Sequence, residues 1–214
     1  MNRLLCSLIA AGASLIASAQ VNAPGKFQLG LAWSGGVHAT HFKNSFSFNG
    51  LRYEDSSDDG AATVSYPFDV HIGLSNRFSL GLCLEGGQYI DSAGTHPNQF
   101  LIVSLSPRFY LLNKEKNALL LNLDLGVSGL RIGDVESGTK RFDDSYAGMH
   151  VRPGLQFQHY FGNTFGMNVG LKVPFHNMKW RDRDPEDPFL TGLNYEAELR
   201  TSGVQFQLGI QVKL

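Results

Sequence analysis

The chain has 214 residues, of which 43% are apolar and 17% charged, with a formal net charge of −1. That balance gives one domain of moderate size and no electrostatic reason to bind nucleic acid. The 24 glycines and 15 phenylalanines suit a β protein with many turns, and no stretch after residue 19 has the ~20 unbroken apolar residues of a membrane helix.

The first element is not part of the fold. Arg3 is a short basic region, Leu4 to Ile16 an apolar one, and Ala17 to Ala19 a small-residue cleavage site before Gln20. Residues 1–19 are therefore expected to be a cleaved secretory signal peptide, and residues 20–214 a single domain. Cys6 leaves with the signal, so Cys83 remains as a lone thiol. That excludes a disulfide framework and a cysteine-based zinc site.

From there the chain alternates apolar and polar residues with period 2, the pattern of a strand with two unlike faces. The first strand sets Phe27, Leu29, Leu31, Trp33 and Val37 against Gln28, Gly30, Ala32 and Ser34. The second sets Val64, Tyr66, Phe68, Val70, Ile72 and Leu74 against Ser65, Asp69, His71 and Gly73. The third has Phe78, Leu80, Leu82, Leu84 and Ile90 opposite Ser79, Gly81, Cys83, Glu85 and Tyr89. The fourth, "FLIVSLSPRFYLL", carries Pro107 on its apolar parity. The fifth sets Leu119 to Val127, odd positions, against Asn122, Asp124, Gly126 and Ser128. The sixth and seventh set Met149, Val151, Leu155 and Phe157, then Phe165 to Phe175, against Arg152, Gln156, Gln158 and Lys172. The eighth, "GVQFQLGIQVKL", alternates to Leu214. Turns at Ser75-Asn76 and Gly162-Asn163 are tight, and "NKEKN" at 113–117 is short. Segments 38–62, 91–98, 132–144 and 176–202 read as longer loops. Short turns and longer loops on opposite rims are the rhythm of an up-and-down antiparallel meander.

Two solvents compete for the apolar face. In a soluble lipocalin-like barrel it points inward, and the outer face carries frequent Lys, Glu and Asp. Here the polar parity is Gly, Ser, Asn and Gln with isolated charges, and the apolar parity is nearly pure Leu, Val, Ile, Phe and Met. Aromatic residues stand near the strand ends, as in interfacial girdles, and a bilayer needs ~9–11 residues per tilted strand. The reading is all-β: an eight-stranded antiparallel up-and-down transmembrane β-barrel, closed because an open edge in lipid would leave backbone groups unpaired.

On these features, the signal, the eight alternating strands, the loop rhythm and the apolar last strand, the sequence resembles the small eight-stranded outer-membrane β-barrel family, the OmpA/OmpX-like class of Gram-negative bacteria. The resemblance covers nearly all of the chain after the signal. Gln20, directly after the cleavage site, looks like exported Bacteroidetes proteins. The resemblance implies an outer-membrane location, outer-membrane lipids as partners, and recognition of the C-terminal strand by the barrel-insertion machinery. Members typically end on an aromatic residue, whereas this chain ends on Leu214.

The candidate site is the set of charges on the polar parity: Asp69, Glu85, Asp124, Arg108, Arg152 and Lys172. Three acids and three bases in a narrow lumen call for a paired network, which fills the lumen as a structural plug or lines a narrow pore for ions or small polar solutes. Glu85 and Arg108, on neighbouring strands, are the expected pair. "KWRDRDPEDPF" reads as a solvated loop in which Trp180, Arg181, Arg183 and Phe189 are material for contact with an extracellular partner. His38 and His41 read as solvated loop histidines and "YEDSSDDG" as a plain acidic loop, since neither has the spacing of a metal site. No nucleophile motif appears; His159 has no nearby serine in sequence. The expectation is therefore a non-enzymatic barrel without cofactor or metal, with a structural or surface-interaction role. A narrow pore, an outer-membrane enzyme and a soluble ligand-binding barrel stand as alternatives.

Overall fold

The computed structural model describes residues 20–214, apart from 49, 93–96, 138–139 and 185–193. The expected signal peptide and Phe189 lie outside the described residues. Ten strands run β1 (Phe27–Phe48), β2 (Leu51–Ser75), β3 (Phe78–Asp91), β4 (Asn98–Leu105), β5 (Arg108–Asn113), β6 (Asn117–Ser137), β7 (Lys140–Tyr160), β8 (Phe165–Lys172), β9 (Phe175–Asp184) and β10 (Asn194–Lys213). Neighbours in the sheet pair antiparallel, and β1 pairs with both β2 and β10, so the sheet closes into a barrel. The closure reaches the last residue: Leu214 N–H donates to the Phe27 carbonyl at 2.9 Å.

The ten strands make eight staves, because two staves are each split at a proline. Pro107 separates β4 from β5, and Pro174 separates β8 from β9. A proline has no N–H for the ladder, but its carbonyl still accepts. Leu123 donates to the Pro107 carbonyl at 3.1 Å and Gly203 to that of Pro174 at 3.2 Å, so the wall stays continuous across both breaks.

The structure corrects the expected long loops. Residues 38–48 continue β1, 51–62 belong to β2, 132–137 to β6, and 176–184 to β9. β1, β2, β6, β7 and β10 each run 20 residues or more, about twice what a bilayer needs. The reason lies in a change in the polarity of the outward face along the wall, as β10 shows. In β10, Val204, Phe206, Leu208 and Ile210 are exposed while Gln205, Gln207 and Gln211 are buried. Further along the same strand Leu199 and Ala197 are buried, while Glu196 and Arg200 are exposed. The same parity faces inward throughout; only the medium outside changes, from lipid to water.

Side chains fill the barrel in three tiers. At the short-turn end, Val21, Tyr110, Ala118, Leu120 and Tyr160 form a buried apolar cluster. Val21 belongs to a segment that tucks under this mouth, tied by Val21 N–H to the Lys114 carbonyl (3.0 Å) and Asn22 Nδ2 to the Ser75 carbonyl (2.6 Å). Gly73 makes that tuck possible: a Cβ there would come within 2.0 Å of the Ala23 carbonyl oxygen. We expect Gly73→Val to push residues 20–25 out of the mouth and to cost about 1–3 kcal/mol through overpacking. Limited proteolysis after refolding measures it, as faster cleavage before Lys26. The middle tier holds the charges. The third, toward the long-strand end, is a second apolar cluster of Ala61, Tyr89, Leu130, Tyr146, Met178, Ala197 and Leu199, with Phe42, Trp180 and Tyr195 packed against it.

Outside, the lipid-facing parity is a belt of exposed Leu, Val, Ile, Met and aromatic side chains. Exposed apolar outside and buried charge inside is the reverse of a soluble ligand-binding barrel.

Candidate functional site

The middle tier is built from residues that the wall aims inward because they share the inward parity of their strands. Asp69 sits on β2, Glu85 on β3, Arg108 on β5, Asp124 on β6, Arg152 on β7 and Lys172 on β8. All six meet there. Arg108 Nη2 donates to Asp69 Oδ1 at 2.8 Å, and His71 Nε2 lies 3.3 Å from the same oxygen. Arg152 Nη1 donates to Glu85 Oε2 at 2.5 Å, and its Nη2 lies 3.2 Å from Asp124 Oδ2. Lys172 Nζ donates to that oxygen at 2.8 Å. Arg152, Glu85 and Asp124 are fully buried.

The expected Glu85–Arg108 pair does not form. Glu85 registers with Ile102 on β4, whereas Arg108 lies past the Pro107 break and registers with Ser79. Six residues separate Ser79 from Glu85 on β3, about 20 Å at the usual rise per residue. Arg108 therefore serves Asp69 and leaves Glu85 to Arg152. Asp124 and Arg152 are direct cross-strand neighbours on β6 and β7.

Three neutral partners complete the tier. Ser65 Oγ donates to Glu85 Oε1 at 2.6 Å, Gln205 Nε2 to the same oxygen at 2.8 Å, and Ser106 Oγ to Asp124 Oδ1 at 2.6 Å. Sequence reasoning passed over them, although each lies on the inward parity; small polar residues there read as filler. Every carboxylate in the tier is thus paired with a base, and Glu85 and Asp124 also accept from neutral donors. That is what makes buried ions tolerable.

The histidines fall differently from expectation. His38 is not in a solvated loop: it is buried on β1, with Nε2 2.8 Å from Thr63 Oγ1. His41, three residues on, lies on the opposite face, exposed, 2.7 Å from Asp58. A strand therefore separates the two rings that a helical turn would have joined. His150 and His176 lie against each other with their rings tilted and centroids 5.4 Å apart. Among the described residues no group of three His, Cys, Asp or Glu side chains is placed to hold a metal. Ser104 Oγ and His150 Nε2 are 2.9 Å apart, a pairing the sequence concealed; His150 Nδ1 has no hydrogen-bond partner among the described residues, so no Ser–His–acid relay forms there. His159 bonds Asn117 at 2.7 Å.

At the long-strand end, Trp180, Arg181 and Arg183 lie on β9 rather than in a loop. Arg183 holds Asp144 through two hydrogen bonds (2.6 and 2.7 Å), and Trp180 Nε1 reaches the same carboxylate at 3.4 Å. Trp180 also packs edge-on against Tyr195, with centroids 5.1 Å apart. These two side chains build the rim, while Arg181 is exposed. The acidic stretch Tyr53–Gly60 lies on β2, where Lys43 binds Glu54 at 3.1 Å and holds its carboxyl below the usual range.

No family model matches the chain, and no curated protein matches it. Solved structures do. The outer membrane protein OprG from Pseudomonas aeruginosa superimposes with a TM-score of 0.59 at 11% identity, over 90% of this chain and 97% of that one. The outer membrane protein AlkL, solved in lipid bilayers, superimposes with a TM-score of 0.55 at 12% identity, over 90% and 92%. The chain folds as a small outer-membrane β-barrel, with a lipid-facing belt outside and a charge-paired lumen inside.

Proposed function

We propose that this chain is a non-enzymatic outer-membrane protein that keeps its lumen shut and acts at the cell surface through its extended long-strand end. The observation that carries this reading is the ion-paired middle tier, with Arg152, Glu85 and Asp124 buried in the lumen. Apolar clusters stand on both sides of it. The belt supports outer-membrane lipids as its surroundings, and the alternating β10 suits recognition by the barrel-insertion machinery. The OmpA/OmpX-like, Bacteroidetes-type assignment is our proposal as well, resting on the sequence features that suggested it. A surface role is supported by the β1–β2 hairpin, where Leu51 and Tyr53 are exposed and the Phe46 ring lies tilted against Tyr53 with centroids 5.0 Å apart. Exposed aromatics beyond the belt suit contact with a partner.

Planar-bilayer recording tests the closed lumen. The purified protein should give no steady current; a stable single-channel conductance would replace this reading with the narrow pore.

Orientation follows from the same proposal, with the two tight turns in the periplasm and the extended staves outside. Cysteine placed at Asp58 should react with an impermeant maleimide on intact cells, and cysteine at Asn163 should not. The native Cys83 is buried and provides an unreactive background. Labelling at Asn163 alone would invert the orientation.

A further inference from the structure

A cavity of about 40 Å³ lies between the charged tier and the apolar tier of the long-strand end. Ile102, Leu130 and Met178 form its apolar side, and His38, Arg152 and Thr201 belong to its polar side. All six are buried. One water needs roughly 10–15 Å³ by this measure, so the space suits about three waters or one molecule of about four non-hydrogen atoms. Water is the poorer fit, because each buried water needs two to four polar partners and most of the surface that lines the cavity is apolar.

Two lining residues keep nitrogens with no hydrogen-bond partner among the described residues: His38 its Nδ1, and Arg152 its Nε and Nη2. Arg152 commits Nη1 to Glu85 and sets Nη2 beside Asp124, which leaves Nε–H as a donor. His38 commits Nε2 to Thr63, so Nδ1 donates or accepts according to the tautomer. A ligand group that satisfies both must accept from Arg152 and exchange roles with His38, which a hydroxyl does. A charged ligand is disfavoured. The tier already balances Asp69, Glu85 and Asp124 against Arg108, Arg152 and Lys172, and an added buried charge would stand uncompensated.

We propose that this cavity is a binding site for a small uncharged alcohol, with its hydroxyl between His38 and Arg152 and its carbon end against Ile102, Leu130 and Met178. The site goes beyond the closed-barrel reading, and its test is independent of conductance. The experiment is a titration of 1-propanol into the refolded protein in lipid nanodiscs, read at the labelled methyl groups of Ile102 and Met178. Saturable shifts are expected. Thr201→Leu, which fills the cavity, should abolish them. His38→Phe should weaken propanol binding about tenfold, the worth of one good hydrogen bond, while xenon binds wild type and variant alike because it needs only apolar volume. Shifts that stay linear with propanol in the wild type overturn the proposal without any variant. Saturation that survives Thr201→Leu, or that is indifferent to His38→Phe, overturns it as well.

Discussion

Arg152→Leu will destabilise the folded barrel by about 3–5 kcal/mol, the usual result of removing one partner from a buried ion pair. Arg152 is fully buried and touches two carboxylates, Glu85 at 2.5 Å and Asp124 at 3.2 Å. Its loss leaves Glu85 with the neutral donors Ser65 and Gln205 and no direct ion pair among the described residues. Asp124 keeps Lys172 and Ser106, so the damage concentrates on Glu85. Glu85→Gln in the same chain should recover part of the loss, making the double variant cheaper than the sum of the single ones, with a coupling of about 0.5–3 kcal/mol. Urea titrations of refolding in lipid vesicles measure all three. A cost below about 1 kcal/mol for Arg152→Leu would mean that water reaches the tier and screens it, and the closed-lumen reading would fall with it.

The sequence was legible where one rule held along a whole strand. The last strand, Gly203 to Lys213, alternates in sequence and in the barrel, and Ser75-Asn76 turns where glycine-poor but polar residues interrupt two apolar runs. The six lumen charges were visible because an isolated charge on an otherwise small, neutral parity stands out. Legibility failed where the medium changed. Beyond the belt the outward face reverses from apolar to polar, so His38 to Ser47, with polar residues on both faces, looks like a mixed loop although its backbone is strand. Reading that reversal needs knowledge of where lipid gives way to water, which no residue announces.

The pairing of the charges was hidden for a different reason. Parity tells which face a residue takes, but not its height in the barrel. Height depends on the shear between staves and on the Pro107 break, which together set Arg108 against Ser79. The sequence alone offers Glu85 three bases on the inward parity; Arg152, on β7 across the lumen, is the one that reaches it.

Leu82→Arg should cost about 2–4 kcal/mol, the penalty for a guanidinium at the bilayer midplane of a barrel. Leu82 is 62% exposed yet lies within the lipid-facing parity of β3. Its cross-strand neighbours, Val70 on β2 and Leu105 on β4, are apolar, and Leu105 is exposed in the same belt. An arginine there has lipid on every side and no acid in register with it. A control separates lipid transfer from any general intolerance of the barrel wall: Lys179→Arg, on an exposed site past the belt, should stay within about 0.5 kcal/mol of wild type. Folding equilibria in vesicles of increasing acyl length sharpen the test, because a thicker core deepens Leu82→Arg and leaves Lys179→Arg unchanged. Were Leu82→Arg as cheap as the control, the exposed face of β3 would have to meet water, and the belt would lose its meaning as a membrane surface.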